Sequence, residues 1–429
     1  MLHTYRDLCI SLCHKMANLL RQGFAHIFVG TFLQKGVAMI ASVVVARLVD
    51  KDDYAYLAYS DTLYGYIVLC SGFGLSSALI KTCASCMVNN KDKAYLDYAL
   101  TWGTFSQTIL SALLVSICFL IVLPFPEAKL YIIASLLYPP INTAYEIMVC
   151  YLRAKQKHKL YANLNVLYAT VLCVLSTLLV FFWSAIGVVA ARYAVLVVLS
   201  GVVIYKLKKI LCSSIHIPLT IAEKKSFWAI ALAIMAANLF SGMMPINENM
   251  LVSTIIADET ITANFKVAGI FPQLLILVTQ AVVIYFNPIV SEMDNNHTEC
   301  SVIRRYAVKI GVLNFCIVIV ALIVGVLLTP WLINILYGEK YMDSVSISYL
   351  LWCMCAANAA IRMVPMNILF AVRRYKFNLY MSVIAVLIQL TLDWYFIKSF
   401  GMMGVAYGAF SVYLITGVLY WNYLIKILK

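Results

Sequence analysis

Long, nearly uninterrupted apolar runs alternate with short polar and basic connections along the whole chain. A transmembrane helix needs about 20 mostly apolar residues to cross a hydrocarbon core of about 30 Å. Twelve segments meet that need, at residues 24–46, 57–80, 98–123, 130–152, 162–182, 186–205, 227–256, 261–290, 307–329, 345–371, 378–397 and 403–425. In lipid every backbone polar group must be satisfied internally; runs this long suit helices, whereas barrel strands show short alternating segments. The pattern predicts an all-α integral membrane protein of twelve transmembrane helices.

Composition sharpens this. Of 429 residues 63% are apolar and 12% charged, against roughly a quarter charged in a soluble domain. A mean hydropathy of +0.90 also excludes a soluble enzyme tethered by one or two helices. The charge is nevertheless +13, from 32 Lys+Arg against 19 Asp+Glu. Assigning alternate connections and both termini to one side places 22 of the 32 cations there, among them Arg6, Lys15, Arg21, Lys155, Lys157, Lys206, Lys208, Arg304, Arg305, Arg374 and Lys426. Cytoplasmic loops carry the Lys/Arg excess, so both termini are expected in the cytoplasm. Five cations fall inside spans: Lys35, Arg192, Lys266, Lys309 and Arg362. Lys309 is close enough to its span's end to snorkel.

The thirteen cysteines avoid the outward loops, so no disulfide framework is expected, and Cys83-x-x-Cys86 lacks the second pair that a zinc site needs. No metal, cofactor or nucleic acid is expected. Residues before the first span mix polar and apolar types with no h-region, which predicts an interfacial amphipathic lead-in and no cleavable signal peptide.

Shifting the chain by 217 residues sets Leu152, Ala154, Lys157 and Lys159 on Leu369, Ala371, Arg374 and Lys376, and Gly187-Val188 on Gly404-Val405. A common offset at two separated places predicts an internal repeat. It divides the chain into a six-helix bundle at 1–205, a basic cytoplasmic linker at 206–225 and a second six-helix bundle at 226–429, the halves related by an axis along the membrane normal.

The segment from Val45 through Arg47, Leu48, Asp50 and Asp53 to Tyr54, followed by Ser71-Gly72-Phe73-Gly74-Leu75, resembles the opening of polysaccharide and O-antigen flippases, although Ala55 stands where glycine is usual. Asn249, the turn Ile255-Ile256-Ala257-Asp258-Glu259 and Asn287-Pro288-Ile289-Val290-Ser291 extend the likeness. The resemblance implies the multidrug/oligosaccharidyl-lipid/polysaccharide exporter fold, two bundles around a central cavity. It also implies movement of an undecaprenyl-diphosphate-linked repeat unit to the periplasmic leaflet of a bacterial inner membrane, by a chain expected to be monomeric, with a polysaccharide polymerase and a chain-length regulator as candidate partners.

An ionisable side chain within a span costs about 2.5 to 3.5 kcal/mol on insertion scales and by default faces a cavity or a partner. Lys35 lies midway through the first span on a stripe with Thr31 and Gln34. Lys266, Gln273, Gln280 and Asn287 recur every seven residues along the eighth, Asn358 and Arg362 are four apart in the tenth, and Arg192 lies in the sixth. Lys35, Lys266, Arg362 and Arg192 form the expected cationic lumen, lined by Gln34, Gln273, Gln280 and Asn358. The acids Asp61, Glu146, Glu248 and Asp393 either balance those cations or take up a coupling proton. Prolines at 139, 140, 245, 272 and 365 mark expected helix breaks.

A diphosphate needs buried cations in place of water, which these cations would supply for a lipid-linked oligosaccharide flippase working by alternating access. The alternative is an ion-coupled multidrug antiporter of the same fold, which calls for an acidic, aromatic pocket. An enzyme such as a membrane glycosyltransferase is not expected: the outward loops are short, no nucleophile or acid/base constellation stands out, and no P-loop motif occurs.

Overall fold

The computed structural model describes residues 25–86, 91–211, 218–295, 299–372 and 374–428. The expected interfacial lead-in, with Arg6, Lys15 and Arg21, lies outside them. The described residues form α-helices and short helical turns with no strand. Nine helices among them are long and apolar enough to cross a membrane, ten when one bent pair is taken as a single crossing.

These helices group in the order the apolar runs predict. The first three crossings are α1 (Ala25–Leu48), α2 with α3 (Lys51–Leu69 and Leu75–Cys86) and α4 (Asp92–Leu120). The fourth is built from two shorter pieces, α5 (Ala128–Ala134) and α6 (Tyr138–Ala154), the second opened by Pro139-Pro140. One continuous run, α7 (His158–Leu211), carries the fifth and sixth and is interrupted at Trp183–Ser184. α8 (Ile221–Leu251) bends by 44° between Phe240 and Gly242, one turn before Pro245, which has no N–H to offer the carbonyl four residues back. Then follow α9 (Glu259–Ala268), α10 (Leu274–Asn295), α11 (Cys300–Tyr337), α12 (Ser344–Ala357), α13 (Met363–Ala371), α14 (Tyr375–Phe400) and α15 (Met402–Ile427). Counting α7 as two crossings and joining α5 to α6, α9 to α10 and α12 to α13 is consistent with twelve.

The chain forms two compact units. Of the described residues, the first holds those within 25–48, 70–117 and 132–235, and the second those within 49–69, 118–131 and 236–428. In the first, α3, α4, α6, α7 and the opening of α8 share a core of Leu75, Leu79, Ile147, Tyr151, Leu196 and Phe227. In the second, α10, α11, α13 and α15 share Val290, Ile303, Leu369 and Tyr420. Large apolar side chains on the outer faces stay exposed, such as Phe182 at 77% and Leu327 at 73%, as a surface facing acyl chains requires.

The Ser71–Gly74 motif breaks the second crossing. Gly72 and Phe73 both adopt left-handed backbone, and Gly74 has φ 79°. A side chain on Gly74 would collide with the Ala231 carbonyl of α8, so glycine serves there both the turn and a close helix approach. The freed polar groups are met locally: Gln107 donates to the Cys70 carbonyl at 3.0 Å, and Ser71 and Ser76 donate to Glu146 at 2.8 and 3.3 Å. At one end of this unit Lys91 pairs with Glu223 at 2.7 Å, and Lys155 and Tyr151 both bond Asp92.

The 217-residue offset is present in the backbone. Lys155 ends α6 with φ −79° and ψ 14°, and Val372 ends α13 with φ −88° and ψ 22°. The Lys157 N–H bonds the Leu152 carbonyl at 3.0 Å, and the Arg374 N–H bonds that of Leu369 at 2.8 Å. Ser184 (φ 48°, ψ −141°) and Gly401 (φ 60°, ψ −142°) turn the chain in the same way between consecutive crossings. Gly187 and Gly404 each press on backbone eight residues earlier, at Leu179 and Phe396. Gly404 and Gly408 both pack on α14, which makes the small-xxx-small surface an internal contact.

This φ, ψ region is one that only glycine occupies without strain, at about 1 to 3 kcal/mol for other residues. A Cβ on Gly401 meets no atom within 4 Å, so Gly401→Ala carries the backbone cost alone. It is expected to lower the melting temperature of the purified protein in detergent; a melt equal to that of the unaltered chain would contradict the backbone argument.

Candidate functional site

Inside the second unit, buried polar side chains gather where α2, α8, α14 and α15 meet. At their centre is Glu248 of α8, 5% exposed. One oxygen, Oε1, accepts from Gln389 Nε2 of α14 at 3.3 Å and from the Tyr413 hydroxyl of α15 at 3.3 Å. The same Gln389 amide donates to the Met244 carbonyl at 3.1 Å, one turn before Glu248 and just before Pro245. On the neighbouring residue, Asn247, the Tyr66 hydroxyl of α2 donates at 2.7 Å. A carboxylate this buried needs such donors to replace water.

Arg362 enters from a π-helical turn, Asn358–Arg362, between α12 and α13. Such turns free backbone carbonyls and are tolerated in lipid only where protein re-satisfies them. Asn314 and Thr279 both donate to the Ala359 carbonyl, at 2.9 and 3.3 Å, and Trp421 donates to that of Ile361 at 3.0 Å. A side chain on Gly417 would press against Ile361, so a small residue of α15 admits the bulge. The turn directs the Arg362 guanidinium over the Tyr413 ring, 5.4 Å from its centroid, with Nη1 3.4 Å from Asn358 Oδ1. Arg362 is 5% exposed, its Nε is buried without a partner, and among the described residues it makes no ion pair.

Asp393 lies one turn beyond Gln389 on α14 and is fully buried. Neither carboxylate oxygen has a hydrogen-bond partner. It is within electrostatic range of Glu248, and a side chain at Gly408 would collide with its Oδ1. Glu248 and Arg362 thus meet at opposite parts of one tyrosine, its hydroxyl and its ring, and Asp393 is in electrostatic range of Glu248. Chemically the arrangement can hold or release a proton or a cation at the acids, and can offer an anion the free donor of Arg362.

The other expected site residues are dispersed. In the second unit, Asp61 is half-buried on α2 and Lys266 half-buried in the last turn of α9. The seven-residue stripe of the eighth span is not on one helix: α9 stops at Ala268 and α10 starts at Leu274, leaving exposed Gln273 in the connecting turn beside Pro272 and only Gln280 and Asn287 on α10. In the first unit, Lys35 is exposed midway along α1 with Gln34 half-buried beside it. Arg192 on α7 lies over Tyr138, 5.6 Å from the ring centroid, and Glu146 is taken up by the Ser71 turn. Gln389, Tyr413, Asn247 and Tyr66 escaped the sequence reading. Gln389 carried a usable signal, its four-residue spacing from Asp393 in an apolar span; Tyr413 is one of 28 tyrosines and carried none.

Outside the spans, the Glu339–Tyr341 turn after α11 places two ammonium groups at the Tyr341 ring, Lys51 and Lys340, each 5.2 Å from the centroid. Lys340 donates to the Val49 carbonyl at 2.8 Å. Burial pushes its ammonium below the usual lysine range; nearby Asp50 opposes this and Lys51 adds to it. The corner ties α2 to the end of α11 by cation–π contact.

A family model described as polysaccharide biosynthesis protein matches residues 20–291. No curated protein matches the chain. Among solved structures, an inward-facing multidrug resistance MATE family transporter of the MOP superfamily aligns over 92% of this chain and 94% of its own, with TM-score 0.74 and 15% identity. A Vibrio cholerae MATE transporter aligns over 96% and 97%, with TM-score 0.65 and 15% identity. A MOP superfamily transporter from Pyrococcus furiosus, described as having a binding pocket of reverse polarity that suggests a different function, aligns over 95% of each chain, with TM-score 0.63 and 14% identity. At these identities the likeness is one of fold. With the family model spanning more than half of its length, the chain belongs to the polysaccharide biosynthesis protein family and carries the fold of the MOP superfamily transporters.

Proposed function

We propose that this transporter is a lipid-linked oligosaccharide flippase and not an enzyme. It moves undecaprenyl-diphosphate-linked O-antigen or capsule repeat units from the cytoplasmic to the periplasmic leaflet of the bacterial inner membrane by alternating access, handing them to a polysaccharide polymerase and its chain-length regulator. Arg362 is the observation that carries the reading. A guanidinium buried among neutral partners, facing an aromatic ring and keeping a free Nε donor, suits a diphosphate, because an anion supplies the acceptors that water would otherwise give. Lys35, Lys266 and Arg192 are proposed to complete the cationic path, and Gln34, Gln273, Gln280 and Asn358 to bond the sugars. The family match supports a polysaccharide role for the same chain.

One observation favours the ion-coupled multidrug antiporter as a second reading. Glu248 and Asp393 are buried carboxyl groups with no ion pair among the described residues, which suits proton or cation coupling and also an organic cation. In the flippase reading these acids serve coupling, and the substrate stays anionic.

Complementation of a strain lacking its own flippase separates the two. Arg362→Ala and Lys35→Ala are expected to abolish surface-polysaccharide assembly while the protein still inserts, and Arg362→Lys to retain part of it, since the charge stays but the planar fork is lost. Full complementation by both alanine variants, or drug resistance without any polysaccharide phenotype, would leave the antiporter as the better description.

A second test addresses the acids. Glu248→Gln keeps an acceptor for Tyr413 but removes the titrating group. In proteoliposomes carrying a fluorescent lipid-linked oligosaccharide, this variant is expected to flip at least about tenfold more slowly, a change of about 1.4 kcal/mol in the barrier, and to lose its response to an imposed ion gradient. An unchanged melt would show that the fold survives. An undiminished gradient response would exclude Glu248 from coupling.

A further inference from the structure

α11 begins with a cluster of cations that the proposed transport path does not use. Arg304, Arg305 and Lys309 meet Ile425 of α15 around an open groove of about 470 Å³, with Val308 as its apolar floor. Arg304 and Val308 are one turn apart, as are Arg305 and Lys309, so the four form one patch on the helix. Among the described residues none of the three cations is in an ion pair. The nearby acid, Glu299 at the start of α11, has its carboxylate bonded by Ser301 at 3.1 Å. The apolar floor continues outward: Val308 is 41% exposed and Val312, one turn on, 58%, on a helix with mean hydropathy 3.0 whose surface is mostly open to its surroundings.

The positive-inside rule explains why cations collect at a span's end. It does not require three of them to converge, unpaired, on a groove whose wall runs into an acyl-facing stripe. That combination is polar at one end and apolar along its length, like a phospholipid. Arginine forks match phosphate oxygens in pairs, lysine adds a point charge, and the stems of all three cover apolar surface. Basic pockets between transmembrane helices bind anionic headgroups in this way. We propose that the groove between the start of α11 and Ile425 binds an anionic phospholipid of the surrounding leaflet, its phosphate on Arg304, Arg305 and Lys309 and its acyl chains along Val308 and Val312.

The test uses the full chain, purified and delipidated, with cardiolipin and phosphatidylcholine as probes and native mass spectrometry as readout. The unaltered protein is expected to retain cardiolipin at least about tenfold more tightly than phosphatidylcholine, as a site built on charge-assisted phosphate contacts requires. Replacing Arg304, Arg305 and Lys309 together by Gln should remove that preference. Ile425→Trp, which fills the groove and leaves every charge in place, should weaken cardiolipin retention in the same way and guards against a folding or topology defect in the triple variant. Removing two other cations by Lys206→Gln with Lys208→Gln, on α7, should change nothing. Equal retention of both lipids, cardiolipin binding by Ile425→Trp at the original strength, or an equal loss on removing Lys206 and Lys208 would each overturn the site. Stronger binding of undecaprenyl diphosphate than of cardiolipin would give the groove to the transported lipid and overturn the phospholipid assignment.

Discussion

The structure depends on one constraint: within a hydrocarbon layer, a carbonyl or N–H released from a helix has no water to turn to. Three irregularities in the crossings are each matched by side chains that close them. The Ser71–Gly74 break is held by Gln107 and by Glu146 through two serines. The π turn at Asn358–Arg362 is held by Asn314, Thr279 and Trp421. The turn at Val252–Ile256 draws Ser253 and Thr254 back onto the carbonyls of Asn249 and Met250. Polar side chains therefore gather where the backbone bends, and the buried chemistry of the second unit is found there for the same reason.

The backbone correspondence at the 217-residue offset does not extend to that chemistry. The turns at Ser184 and Gly401 are conformational copies, yet the residues 217 positions before Glu248, Asn358, Arg362, Gln389, Asp393 and Tyr413 are Thr31, Ile141, Tyr145, Leu172, Ser176 and Leu196. Leu196 belongs to the apolar core of the first unit, with Leu172 packed against it. A repeat preserves backbone geometry because glycine spacing and helix ends are set locally. Side-chain charge at a given site is free to diverge once each unit packs its own core.

This difference also explains what could be read from sequence. Apolar run lengths and the 217-residue offset were legible because both are properties of the chain's own periodicity, and the offset recurs in the backbone at Ser184 and Gly401. The glycine-spaced Ser71–Leu75 segment stood out, and its positive φ angles show why. The stripe from Lys266 to Asn287 failed as a single face because a seven-residue period assumes an unbroken helix, and Pro272 had already signalled the break between Ala268 and Leu274. The companions of Glu248 were hidden for another reason. Gln389 is 141 residues away and Tyr413 is 165, so their meeting is a product of tertiary packing that no local pattern encodes.

Tertiary packing also separates acids that look alike in sequence. Glu146 and Glu248 are both glutamates within apolar runs, each accepting two side-chain hydrogen bonds. Glu146 is half-buried, and its two oxygens are engaged by Ser71 of the turn and Ser76 at the start of α3. Its carboxylate is consumed in holding that turn closed. Glu248 is buried, receives both donors on a single oxygen from two different helices, and has a second unsupported acid, Asp393, in range. A change in its charge alters what α14 and α15 each gain by staying against α8. Position in the packing, and not residue type, is what singles out Glu248 among the acids for the coupling role proposed above.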